Sequence, residues 1–207
     1  MNTLAKPKEN LIDPLILIPI LLLTSISALF IFSASNVIAS ENFNNPFFFI
    51  ERQVVAFALS LIMFSVFLFI PISFYRENGL LLFFLSAILL ALVLIPGIGR
   101  EVNGSRRWLD LGFMNMQPSE VAKIFVPIYL CGYCLRRKEQ LESSWRGFLK
   151  PIVITSLISL LLFFEPDIGA MVVIFAIGIG ILFIGGAKLS QLGILTIILL
   201  TLVSIFI

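Results

Sequence analysis

Seven long apolar runs alternate with short polar separators along the chain. They fall at Leu15–Phe32, Val54–Ile70, Leu80–Ile95, Val121–Leu135, Pro151–Phe164, Ile168–Ile184 and Leu189–Ile207. A hydrocarbon layer about 30 Å thick takes about 20 helical residues to cross, so with their flanks these runs predict spanning helices. Single segments of this kind satisfy their backbone in lipid only as helices. The separators NNP, PISFYRENG, PGIGREVNG, RRKEQLESSWRGFLKP and GGAKLS carry turn and breaker residues. The predicted fold is all-α, a polytopic transmembrane bundle of about seven spans. It forms a single membrane domain over residues 1–207, with an outer interfacial loop at 97–118 and a basic cytoplasmic loop at 136–150.

Composition agrees with that class. Hydrophobic residues make up 59% and charged residues 13%, with a mean hydropathy of +1.09, too few charges to cover the surface of a soluble domain. A net charge of +2 gives no sign of a nucleic-acid partner. The chain has no histidine, which removes the commonest metal ligand and the commonest acid–base group near neutral pH. Cys131 and Cys134 form a C-x-x-C inside an apolar helical run, where they read as small filler rather than a redox or metal pair. No cofactor is evident, and a divalent cation stays open. The polar start MNTLAKPKENLIDP followed by a long apolar run reads as an uncleaved first span rather than a signal peptide. The last run stays apolar to Ile207 with no interfacial anchor, the pattern of a piece of a longer protein.

Basic residues set the orientation. With the N-terminus in the cytoplasm, Lys6, Lys8, Arg76, Arg136, Arg137, Lys138, Arg146, Lys150 and Lys188 lie inside. Arg52, Arg100, Arg106, Arg107 and Lys123 lie outside. The outer loop NGSRRWLDLGFMNMQPSE interleaves Trp108, Leu109, Leu111, Phe113, Met114 and Met116 with polar residues, so it is expected to lie along the interface. Arg106 and Arg107 then sit at phosphate depth. An arginine fork suits phosphate or pyrophosphate oxygens, and anchoring to lipid headgroups fits equally well.

Three ionisable residues fall inside the apolar layer. Pro118 and Glu120 suit a helix start, and Glu120 and Lys123 share a helix face as a local ion pair. Counted from Arg136 at about 1.5 Å per residue, Lys123 lies about 20 Å and Glu120 about 24 Å along the fourth helix. Asp167 comes about 25 Å along the next one, counted from Lys150. Charges in hydrocarbon cost about 2.5–3.5 kcal/mol each on insertion scales, so groups at one depth are expected to face each other or a wet cavity. Glu120, Lys123 and Asp167 are therefore the candidate site.

The motifs NGSRRWLDLG, QPSEVAK and EPDIG, with FSAS, NNPFFFIERQ, RGFLKP and GGAKL, resemble the SEDS family of membrane glycosyltransferases. PFFFIER, RGFLKP and GGAKL look more like its division branch, FtsW, than its elongation branch, RodA. The resemblance runs from about Asp13 to about Leu192, nearly the whole chain. It implies an enzyme that polymerises lipid II, an undecaprenyl-pyrophosphate-linked disaccharide-pentapeptide, into glycan strands at the division septum. The location implied is the bacterial inner membrane, and the partners are a class B penicillin-binding transpeptidase and other division proteins. By motif position it assigns Arg107, with Arg106 and Trp108 beside it, to the substrate. Glu120, Lys123 and Asp167 fall to the polar cavity. The family's candidate catalytic aspartate lies in an outer loop beyond residue 207. This chain departs from the pattern with Glu165 where Gln is usual and Ala170 where Thr is usual. The rival readings are a lipid II flippase and a truncated, non-catalytic division scaffold.

Overall fold

The computed structural model describes residues 13–102, 104–112 and 115–206, apart from the side chains at 202, 203, 205 and 206. The polar N-terminal segment with Lys6 and Lys8, and Phe113 and Met114 of the outer loop, lie outside the described residues. Each of the seven apolar runs coincides with a helix. The chain divides into two compact units, residues 1–71 and 72–207.

The first unit is a helical hairpin of α1 (Pro14–Phe43) and α2 (Phe48–Phe69). The Asp13 side chain caps α1 by accepting the Leu15 N–H at 2.9 Å, and Pro14 takes the first position, where its missing N–H is no loss. α1 runs well past the apolar stretch that announced it; its 30 residues span about 45 Å. Asn44 ends it in the left-handed conformation at φ 53°. Phe43 stacks on Phe48 across the turn, and the Arg52 guanidinium lies 4.3 Å above the Phe48 ring. Of the described residues in both helices, Ala39 alone is buried. Such continuous exposed apolar surface belongs in lipid.

The second unit holds α3 (Ile72–Leu94), α4 (Pro118–Arg136), the short α5 (Lys138–Ser143), α6 (Trp145–Phe164), α7 (Ile168–Ile184) and α8 (Leu189–Phe206). Among the described residues α1, α2, α3 and α6 are long and apolar enough to cross a membrane, while α7 and the described part of α8 are apolar but shorter. Between α3 and α4 lies a small antiparallel sheet in the order β1 (Gly99–Val102), β2 (Ser105–Asp110) and β3 (Asn115–Met116). The sequence reading expected an interfacial loop at these positions; the strands are a feature it did not contain.

α4 is central. Ala122, Val126, Tyr129 and Leu130 follow helical spacing on one face and pack with Phe83 and Leu90 of α3, Ile158 and Leu162 of α6, and Ala170 and Ile174 of α7. Ala122 and Ala170 are small enough for α4 and α7 to approach closely. A second cluster joins Cys134, Leu141, Phe148, Leu182, Ala187 and Leu192 near the other end. Cys134 thus sits in a packed apolar cluster, and Cys131 is exposed.

That other end is held by close backbone contacts. The Tyr133 hydroxyl donates to the Gly147 carbonyl at 2.7 Å, and Arg136 donates to the Arg76 carbonyl at 3.2 Å. Gly147 lies so near α5 that a Cβ there would overlap the Gln140 carbonyl. Gly147→Ala is therefore expected to lower stability by about 1–3 kcal/mol, as overpacking does. Thermal unfolding in detergent reads this directly, and an unchanged midpoint would show that α5 yields freely. Arg137, Lys138, Arg146, Lys150 and Lys188 belong to this end of the unit, and the sheet belongs to the opposite one.

Candidate functional site

The end of the second unit that bears the sheet also holds the first turn of α4 and the junction of α6 with α7. These three elements carry all the candidate residues. The junction is three residues long, Glu165–Asp167. The Asp167 N–H donates to the Leu162 carbonyl at 3.0 Å, so the turn follows α6 without a true loop. Asp167 then caps α7: one carboxyl oxygen accepts the Ala170 N–H at 3.0 Å. Its other oxygen accepts from the Gln117 side-chain amide at 3.1 Å, which ties the start of α7 to the residue just before α4. Asp167 is 8% exposed.

Arg107 reaches the same junction from β2. Arg107 is the extra residue of a β-bulge: Arg106 lies opposite Glu101 and Trp108 opposite Arg100, so Arg107 has no cross-strand partner in the register. A bulge bends the strand and re-aims the side chain it carries, here beside the buried Leu109. Arg107 consequently donates its Nε–H to the Glu165 carbonyl at 3.0 Å and an Nη2–H to the Pro166 carbonyl at 2.6 Å. These bonds use two of the five N–H donors of a guanidinium.

Arg106 keeps its place in the register. Its Nε lies 3.4 Å from the carboxylate of Glu101, its cross-strand partner, and both side chains are partly exposed. Exposed pairs of this kind contribute about 0–1 kcal/mol. Trp108 lies opposite Arg100 and is partly buried. The two arginines expected to work together thus have different partners, Arg106 the Glu101 carboxylate and Arg107 the α6–α7 carbonyls.

Glu120 and Lys123 pair with each other at 2.6 Å on the first turns of α4, as their spacing suggested. Glu120 is the more exposed partner. Among the described residues no hydrogen bond or ion pair joins Lys123 to Asp167. The structure brings Arg107 and Asp167 to one junction, and keeps Glu120 and Lys123 on the same helix start as Gln117, paired to one another.

Two residues matter here that the sequence reading gave no role. Gln117 is the amide that holds Asp167; being neutral and placed before a proline, it read as part of a helix start. Glu165 was noted as a departure from a family pattern. Its side chain is fully buried, and among the described residues neither carboxyl oxygen has a hydrogen-bond partner. It lies between α6 and α7 and belongs to neither helix. Burial pushes its carboxyl up to about 8, the Asp167 charge pushes in the same direction, and Arg107 opposes them. Ser119, on the first turn of α4, is likewise buried with its hydroxyl unpartnered.

The comparisons with known proteins agree with one another. The sequence matches the profile of the FtsW/RodA/SpoVE family of cell cycle proteins over residues 13–207. A probable peptidoglycan glycosyltransferase FtsW from Nitrosococcus halophilus is 46% identical over 157 residues, which covers 76% of this chain and 40% of that protein. A protein of the same name from Thioalkalivibrio sulfidiphilus is 42% identical over 176 residues, covering 85% of this chain and 44% of that one. Among solved structures, the rod shape determining protein RodA of Thermus thermophilus superposes with a TM-score of 0.66 at 26% identity, covering 86% of this chain and 58% of that one. A chain of a peptidoglycan synthase complex, described for its coordination of polymerization and crosslinking, gives a TM-score of 0.65 at 26% identity. It covers 87% of this chain and 52% of that one. The chain spans less than half the length of the two curated relatives.

Proposed function

From the premise that this chain belongs to the FtsW/RodA/SpoVE family of cell cycle proteins, we propose that it forms the pyrophosphate-holding part of a peptidoglycan glycosyltransferase. The activity is the polymerisation of lipid II into glycan strands on the outer face of the bacterial inner membrane, at the division septum. The partners are a class B penicillin-binding transpeptidase and other division proteins. The relatives' names support the reaction class, and their division-type naming supports the septal role.

The observation that carries the reading is the Arg107 guanidinium seated on the α6–α7 junction beside Asp167. It is anchored by backbone carbonyls, and among the described residues no ion pair neutralises its charge. The N-terminal ends of α4 and α7 lie at the same end of the unit, and their positive dipole ends favour an anion there. Such a site suits the pyrophosphate of an undecaprenyl-linked sugar.

In the reaction, the sugar 4-hydroxyl of one lipid II attacks the anomeric carbon of the growing strand. The bond from that carbon to undecaprenyl pyrophosphate breaks, and a carboxylate takes the hydroxyl proton. Arg107 and Lys123 stabilise the leaving pyrophosphate. Glu120 orients Lys123 through their ion pair, and Asp167 orients Gln117 and the start of α7.

Lys123→Ala in a full-length parent tests this. Polymerisation is expected to fall about 10–100-fold with the fold retained, less than the loss of an unpaired donor would cost, because Glu120 already offsets part of the Lys123 charge. Wild-type rates from a folded variant would remove Lys123 from the site. Accelerated lipid II translocation in vesicles without polymer would favour a flippase instead.

A further inference from the structure

Glu165 has no part in the reaction as described, yet it is the most confined ionisable group at the junction. It is fully buried and both carboxyl oxygens are unpartnered. Asp167, two residues on, has both oxygens taken by Ala170 and Gln117. Arg107 spends its two bonds on the carbonyls of Glu165 and Pro166 and none on the Glu165 carboxyl. An ionised carboxylate out of water, with no donor, is far less tolerable than the neutral acid.

We propose that Glu165 is a positioning residue that works as the neutral acid: its proton keeps the junction at one negative charge and leaves Arg107 free to face an anionic ligand. Loss of that proton to solvent would create a buried carboxylate two residues from Asp167. Arg107 is the cation acting on it, and a charged carboxylate is a stronger acceptor than a carbonyl. The guanidinium would turn inward, and the ligand would lose it. Among the described residues no other element here supplies a free competing charge: in the sheet, Arg106 is paired with Glu101 and Arg100 with Asp110. α3 carries none after Glu77, α7 carries none, and the charges of α6 lie at its far end. Glu120 and Lys123 of α4 are paired to each other. The direction of the Glu165 shift, up to about 8, agrees with this account.

The charge state does not depend on the reaction read for the site; its effect on Arg107 and a pyrophosphate does. The test separates the two. The purified chain, with glutamate carboxyls isotopically labelled, should show the infrared band of a protonated carboxylic acid at pH 7. That band should fade as pH rises through about 8 and be absent from Glu165→Gln. Absence of the band from the wild type at pH 7 would overturn the proposal. The native state keeps a proton that the unfolded chain loses near 4.5, so stability should decline between about pH 5 and pH 8 and then level off. Glu165→Gln, which keeps the shape of the neutral acid, should remove that slope. An identical slope in the variant would also overturn the proposal, and should the variant not fold, the wild-type band alone decides. In a full-length parent, polymerisation by the wild type should fall about tenfold per pH unit above the transition, and that by Glu165→Gln should not. If neither protein polymerises lipid II while the band is present, the reaction reading fails and the neutral acid stands.

Discussion

Arg107→Ala in a full-length parent is expected to lower kcat/KM for lipid II polymerisation about 100–1,000-fold, the usual effect of removing one preorganised donor to a developing charge. The expectation rests on how the side chain is held. Two of its donors are fixed on consecutive backbone carbonyls, so the remaining edge of the guanidinium has a set direction. Arg107→Lys should restore little, because an ammonium cannot bridge two carbonyls and present a flat edge to a pyrophosphate at the same time. The loss should appear in glycan-strand synthesis while the helix content of the variant stays unchanged. Near-normal rates from a folded Arg107→Ala would sink the assignment. Arg106→Ala is the internal control. Its charge is paired with Glu101, and its removal should change the rate only a few-fold.

Asp167→Ala is expected to cost about 1.5–3 kcal/mol of stability. Loss of a helix cap costs about 0.5–2 kcal/mol. An amide left without its partner costs about 1–3 kcal/mol where it is buried, and Gln117 is half-buried, so its share falls at the low end. Asp167→Asn is the discriminating variant. Asparagine caps helices as well as aspartate does, and its amide can still meet Gln117. Thermal midpoints should therefore place Asp167→Asn close to the wild type and Asp167→Ala well below it. Equal midpoints for the wild type and Asp167→Ala would mean that α7 starts without help from this carboxylate.

The helices were legible because apolar runs of this length have one solution in lipid. Even α4, the run interrupted by Glu120 and Lys123, was placed from Pro118 and its first-turn acid. The hairpin was not read as strands. Its members are four, six and two residues long, and apolar residues alternating with polar ones suit a membrane interface as well as a pleat. The Asn103–Gly104 dipeptide was the signal available, since that pair is a strong hairpin turn. For the site, axial distance along the helices grouped Glu120, Lys123 and Asp167 at one level. Rise per residue says nothing of the direction in which each side chain points. It could not reveal that Lys123 is engaged with Glu120 while Asp167 is engaged with Gln117. A neutral amide has no desolvation signature in a sequence, so Gln117 stayed invisible.

The irregularity in β2 carries a requirement of its own. Val102 faces Ser105 across the turn and Arg106 faces Glu101, yet the next pair is Trp108 with Arg100, so the ladder steps over Arg107. That one surplus position is what frees a strand residue to leave the sheet's own bonding and serve a neighbouring junction. Deleting a single residue between Arg106 and Trp108 would restore an even ladder and leave the α6–α7 carbonyls without their cation.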